Sequence, residues 1–255
     1  MMRVFGKLVV GAAMFGGFVI GAHVAQATPT LTTLQSATTG AVAATDFTTN
    51  LTVFKFNPAL GTLTDVYLTL NGTVVADLSA ESKDAAPATI TLLSKATETL
   101  KTGGGLSLAQ ALPANSVILN AAAYDHVLDF GGTSGTTVTG LTGTAATGQL
   151  DITGATTSVA VPGGSPLSVS GSAILSAFTG VGAADIMTLT LGAAGNSSAT
   201  GAGNLVSSIS TNAAGNITVQ YGYTPAPVPE PASMTLLGAG LLGLGAISHR
   251  RSKKA

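Results

Sequence analysis

The chain has 255 residues, of which 8% are charged against about 25% in ordinary soluble proteins. It carries 33 glycines, 45% apolar and 5% aromatic residues, no cysteine, no tryptophan and a formal net charge of −1. The missing cysteines exclude a disulfide-stapled mini-protein, a zinc ribbon and a cysteine redox enzyme. Balanced charge leaves no broad basic face for nucleic acid, and the apolar content is too high for a disordered chain.

Residues 1–27 read as a signal peptide. Arg3 and Lys7 supply positive charge, Leu8 to Ile20 is a charge-free apolar run, and Ala25-Gln26-Ala27 puts small residues at the two positions a signal peptidase reads. Cleavage is expected before Thr28. The alternative, a retained helix, is disfavoured because thirteen apolar residues are short for ~30 Å of hydrocarbon.

Residues 28–223 are expected to form one all-β domain, a single β-sandwich of jelly-roll-like kind. Leu63 to Leu70 sets Val66, Leu68 and Leu70 on one face and Asp65, Tyr67 and Thr69 on the other. Asn71-Gly72 then predicts a type I′ hairpin, since both residues tolerate positive φ, with Thr73 to Ser79 as the returning strand. Further strands are expected over Ala88–Lys101, Asp125–Phe130, Thr157–Val161, Leu167–Ile174, Asp185–Leu191 and Asn216–Tyr223. Gly103-Gly104-Gly105, Gly131-Gly132, Pro162-Gly163-Gly164 and the Gly/Ser/Asn run from Gly192 to Asn204 separate them as loops. The uneven Thr-Gly pairs from Gly131 to Gly154 read as a low-complexity loop region, and Ser107 to Leu112 is the best candidate for a helical turn. Short, regularly punctuated strands fit a sandwich or barrel, and no period of 20 to 50 residues suggests a solenoid.

Residues 224–231 alternate proline with other residues and predict an extended stalk. Residues 232–248 form an apolar segment expected to be a transmembrane helix. Its charge-free part, Met234 to Ile247, covers about 21 Å at ~1.5 Å per residue, and four glycines weaken the helix. This suits temporary retention better than permanent residence. The tail, residues 249–255, carries Arg250, Arg251, Lys253 and Lys254, a stop-transfer arrangement that keeps the basic end in the cytoplasm.

Catalytic and metal chemistry were sought in the same residues. His126 is the one histidine between the two ends, and strand alternation would put Asp125 and Asp129 opposite it, so no triad forms. A half-buried strand histidine is the expectation. No Gly-x-Ser-x-Gly elbow and no Asp-x-Asp-x-Asp-Gly loop occurs. Asp77, Glu81 and Asp84 cluster around a turn and read as a solvated loop. Gly103-Gly104-Gly105 lacks the Lys-Ser/Thr of a phosphate loop and reads as a hairpin tip. No catalytic residue, metal or cofactor is expected, and the chain is not expected to be an enzyme. Tyr67, Tyr124 and Tyr221 are the candidate glycan contacts, because sugars stack on exposed aromatics. Between residues 28 and 231 only Lys55, Lys83, Lys95 and Lys101 oppose all eleven acids, a net charge of −7.

Val228-Pro229-Glu230-Pro231, followed by an apolar helix and an arginine-rich end, resembles the PEP-CTERM sorting signal of Gram-negative bacteria. That resemblance implies export by the Sec route, an inner-membrane intermediate, and processing by an exosortase near the Pro-Glu-Pro. The destination it implies is the cell surface, outer membrane or extracellular matrix, in an exopolysaccharide and biofilm setting. The run Phe54 to Leu70, with Phe178-Thr179-Gly180 and the closing Tyr221-Gly222-Tyr223, resembles the choice-of-anchor E domains of bacterial surfaces over about residues 30–224. It implies location and architecture, with no catalytic residues. The expected role is a structural or adhesive surface protein, with signal peptidase, exosortase, membrane and exopolysaccharide as candidate partners. The alternative is a carbohydrate-binding module for the cell's own exopolysaccharide, and a secreted hydrolase stands third.

Overall fold

Long alternating runs of small polar and apolar residues pair into two antiparallel sheets that pack face to face. The structure, a computed structural model, describes residues 28–159, 167–226 and 238–242. The signal with Ala25 and Ala27, the motif Val228–Pro231 and the basic tail Arg250–Lys254 lie outside the described residues. Among the described residues no helix is long and apolar enough to cross a membrane.

The larger sheet has seven strands. Its spine is β5 (Gly61–Ser82) against β14 (Leu205–Pro225), an antiparallel ladder from Gly61↔Pro225 to Ser82↔Leu205. Three short strands, β1 (Thr30–Leu31), β2 (Gln35–Thr38) and β3 (Ala43–Ala44), pair with the outer edge of β14. On the other side β9 (Gly135–Ala146) and β10 (Leu150–Ile152) pair with β5. The smaller sheet runs β4 (Phe47–Phe54), β13 (Ile186–Thr200), β6 (Ala88–Thr102), β7 (Ser107–Ala111), with β8 (Ala114–Ala121) also on β6. A separate hairpin, β11 (Thr156–Val159) with β12 (Leu167–Ser170), leads into α1 (Gly171–Phe178). At ~3.3 Å per residue the 22-residue β5 is about 70 Å long, so the domain is a rod with two distinct ends.

The expected alternation holds inside the rod: Val66, Leu68, Leu70, Val74, Ala76 and Leu78 are all fully buried. The core divides along its length. Near Gly61 and Pro225, large side chains fill it: Phe56, Phe178 and Tyr221 meet edge to face with centroids about 6 Å apart, beside Leu68, Leu70, Leu189 and Ile217. In the middle the sheets come together over Val74, Ala96, Ala193 and Ala213. Toward Ser82 the core is Leu78, Ile90, Leu92 and smaller residues. Each buried large aliphatic or aromatic side chain stabilises by about 1.5–3 kcal/mol, so the Gly61 end carries most of the hydrophobic stabilisation.

Several expectations are corrected. Asn71-Gly72 is no turn: Asn71 pairs with Asn216 and Ala146, and Gly72 with Gly215 and Ala145. Ladders on both sides override the local turn preference. Glycine is required there for space, since a Cβ on Gly72 would lie 2.8 Å from the Glu98 carboxylate. Asp125–Phe130 is loop rather than strand, with His126 and Phe130 at φ of 70° and 55°. Ser107–Ala111 is β7, paired with β6, where a helical turn was expected; an apolar run this short fits either period. The strand expected over Leu167–Ile174 ends at Ser170, and helix starts at Gly171, where a Cβ would strike the Thr153 carbonyl. Gly192–Asn204 is strand as far as Thr200, held by β6. The region from Gly131 to Gly154 contains β9 and β10. Thr224 and Pro225, expected in the stalk, belong to β14, and the Ala226 N–H donates to the Leu60 carbonyl; the rest of that stretch lies outside the described residues. Gly103–Gly105 does form the tip between β6 and β7.

Candidate functional site

The three tyrosines do not share a surface. Tyr221 is 1% exposed, and its hydroxyl donates to the Phe54 carbonyl at 2.7 Å. Desolvation pushes that hydroxyl well above its ordinary pKa, with the Gln35 side-chain hydrogen bond opposing. As a core residue it cannot stack on a sugar, so that expectation is corrected. Tyr67 is half-buried on the outer face of the larger sheet, with Asp151 across from it on β10 and Asp65 two residues away. Burial first, then the charges of Asp65 and Asp151, raise its pKa. Burial and then Asp65 also raise the Asp151 carboxyl. Tyr124 stands in the loop after β8, its ring 5.4 Å from that of His126 and its N–H on the Asp84 carbonyl. Fifteen residues of β5 separate Tyr67 from Ser82 beside that loop, about 50 Å. No single glycan chain segment of a few sugars touches both.

The acidic residues in the last part of β5 and just beyond it have a structural task. Glu81 is fully buried, and its carboxylate accepts from the N–H groups of Asp129 and Phe130 at 2.9 and 2.7 Å and from the Ser134 hydroxyl at 3.4 Å. These bonds explain why residues 125–130 form a loop. Asp84 accepts from the Gly203 and Asn204 N–H groups at 2.8 and 2.9 Å, and from the Asn204 side-chain amide. Asp77 accepts from the Gly140 N–H. The three carboxylates thus tie down three different segments. Among the described residues no group of three His, Cys, Asp or Glu is placed to hold a metal ion. His126 is exposed in its loop rather than half-buried in a strand.

A second buried glutamate went unnoticed in the sequence. Glu98 points from β6 into the middle of the sandwich, where one oxygen accepts from the Thr73 N–H at 3.1 Å and the other has no partner. Gly72 and Gly215 face it from the opposite sheet, and any Cβ on either would crowd the carboxylate. Burial pushes its pKa up to about 8, against a small lowering by the Thr73 bond.

A shallow trough of about 390 Å³ lies on the outer face of the smaller sheet. Strand register builds it. Gly192 pairs with Thr48 on one side and Thr99 on the other, and Thr190 with Asn50 and Lys101. Gly192 has no side chain and Ala194 a short one, so the floor is low between rows of hydroxyls from Thr48, Thr97, Thr99 and Thr190. Asp46 and Lys101 also line it. The Gln110 amide donates to the Thr99 hydroxyl at 3.2 Å and fixes one wall. Such a surface offers neutral hydrogen-bond donors and acceptors to another polyhydroxylated surface. The Thr-x-Thr alternation of β6 was visible in the sequence. Its partner row on β13 was hidden, because the strand continues through residues expected to be loop.

The family model of the PEP-CTERM protein-sorting motif matches residues 227–251. PEP-CTERM proteins are exported and sorted to the cell surface or extracellular matrix in Gram-negative bacteria, and the motif marks this chain as an exosortase-sorted extracellular protein. No curated protein matches. Among solved structures, the chain is similar to chains of infectious bursal disease virus. The Gx strain structure is 10% identical over 91% of this chain and 52% of that one, with a TM-score of 0.16. The Gt strain structure is 12% identical over 94% and 55%, with a TM-score of 0.12. The chain spans about half the length of those it matches, and likeness at these scores carries no argument.

Proposed function

We propose that the chain is a non-catalytic structural or adhesive protein of the cell surface or matrix, acting in an exopolysaccharide setting. The observation that carries this reading is the spine of the rod. The β5–β14 ladder ends at Pro225, and the sorting motif starts at residue 227, so an anchor at the motif holds one end and leaves the other about 70 Å away. Both outer faces along that length present hydroxyls and amides: Thr69, Asn71, Asn216 and Thr218 on one sheet, Thr48, Thr99 and Thr190 on the other. A net charge of −7 over residues 28–231 keeps such a rod soluble among anionic polymers and unsuited to gripping them by charge.

A second reading, carbohydrate binding, is favoured by the threonine trough, which replaces the three tyrosines as the contact surface. Cosedimentation of the full chain with the cell's own exopolysaccharide tests both. The structural reading expects a deletion strain with weakened matrix, restored equally by the wild type and by a Thr99→Lys/Thr190→Lys variant whose trough is filled. Loss of polysaccharide retention by more than tenfold in that variant favours the binding module. An unchanged matrix in the deletion strain, or turnover of polysaccharide by the purified chain, sinks the structural reading.

A further inference from the structure

We infer that the end of the rod from which the chain departs for the sorting segment is a lipid-facing surface that rests on the bilayer while the chain is still anchored. Six of the large apolar side chains exposed on the described surface lie at this end: Leu31, Leu34, Phe54, Leu60, Val181 and Ile186, from 45% to 93% exposed. They come from three separate stretches, residues 31–34, 54–60 and 181–186, brought together by the fold. Phe54 and Ile186 are cross-strand partners on β4 and β13. Leu31 lies on β1 beside the end of β14. Phe54, Leu60 and Tyr223 line one shallow cavity, and Phe54 and Ile186 another. Clustered apolar exposure of this kind marks an interaction surface; elsewhere on the described domain the large exposed apolar side chains are Val42, Ile118, Val127 and Leu128.

The surface is held firmly. The Gln35 side chain accepts from the Phe54 N–H at 2.7 Å and donates to the Phe54 carbonyl at 3.1 Å, and the Tyr221 hydroxyl donates to the same carbonyl. Phe54 is therefore fixed in solvent by hydrogen bonds from the opposite sheet. Lys55, one of only four lysines between residues 28 and 231, sits next to it. Asp185 lies beside Lys55, so the rim carries little net charge, and its apolar side chains are what suit it to the bilayer interface.

The course of the chain selects a bilayer over other occupants. The Ala226 N–H bonds to the carbonyl of Leu60, itself a rim residue. Met234, where the charge-free apolar run begins, follows eight residues later. Eight residues reach at most about 28 Å, which keeps the rim close to the bilayer. This inference rests on the reading that Met234–Ile247 enters the membrane.

The chain has no cysteine, so single cysteines carry a fluorescent label cleanly. The full chain is reconstituted in phosphatidylethanolamine–phosphatidylglycerol vesicles containing a spin-labelled quencher lipid, as Leu34→Cys, Val181→Cys, Val127→Cys or Leu241→Cys. Labels at 34 and 181 should be quenched at least threefold more than the label at 127, in the loop at the opposite end of the rod. Equal quenching at 34, 181 and 127 with strong quenching at 241 overturns the lipid-facing rim and leaves the anchor reading standing. Absence of quenching at 241 removes the anchor reading and the rim with it. Crosslinking between copies at 34 or 181 without lipid overturns the proposal in favour of a second copy as occupant.

Discussion

The two ends of the rod solve the same problem with different chemistry. At the end near Gly61 and Pro225, loops and α1 are held by large buried rings, Phe56, Phe178 and Tyr221, and apolar side chains remain on the surface. At the end near Ser82, the loops are held by carboxylates: Glu81 for residues 129–134 and Asp84 for residues 203–204. Packing at one end is non-directional and strong. Charge-assisted hydrogen bonds at the other fix backbone direction with little apolar area. The end from which the chain leaves toward the sorting motif is thus built around apolar packing, and the far end around loops held by carboxylates.

Phe178→Ala should have the largest effect, because it empties a fully buried site in the main core. A loss of about 3–5 kcal/mol is expected, read by urea unfolding. A loss under 1 kcal/mol would break the claim that this end carries the stability.

Glu81→Ala removes the acceptor of two backbone N–H groups and a hydroxyl. It should cost about 2–4 kcal/mol and expose residues 122–134 to proteolysis, with hydrogen exchange around Tyr221 unchanged. If exchange rises equally at both ends, the ends are not distinct units.

Between the ends, Glu98 adds a pH dependence. Its carboxyl keeps its proton in the folded chain up to about pH 8, against an ordinary value of 4.5. The folded state therefore binds the extra proton between these values. Its stability is fully present below about pH 4.5 and falls as pH rises toward about 8. The fall should be on the order of 2–4 kcal/mol and should vanish in Glu98→Gln, which becomes the more stable form above pH 8. Unfolding curves at pH 5, 7 and 9 decide it, and an unaltered slope in the variant would assign the dependence elsewhere.

Leu34→Ser and Val181→Ser should change stability by less than about 0.5 kcal/mol, since both side chains are exposed. A larger loss would show that the apolar rim belongs to the core.

How much of this was legible depends on which interactions decided each element. Class and core faces were readable because Val66, Leu68, Leu70, Val74, Ala76 and Leu78 follow a two-residue period that any half-buried sheet imposes. Strand lengths were not, because Gly72, Gly195 and Gly215 look like turn residues and are places where sheets or side chains approach closely. Gly195, for example, leaves room for Thr45. The loop at 125–130 looked like a strand because its alternation is real, while the carboxylate that bends it lies about fifty residues away. Tyr221 looked like a surface aromatic only because nothing in a sequence distinguishes a buried tyrosine from an exposed one. The trough needed two registers at once. The sorting motif was readable because its order of proline, apolar run and basic tail is local.

Intact mass spectrometry of the chain recovered from the cell surface and the medium tests the proposed sorting of this rod most directly. The account predicts a species that starts at Thr28 and ends near Pro231. Extracellular chain that still carries Arg250 and Arg251 would contradict it.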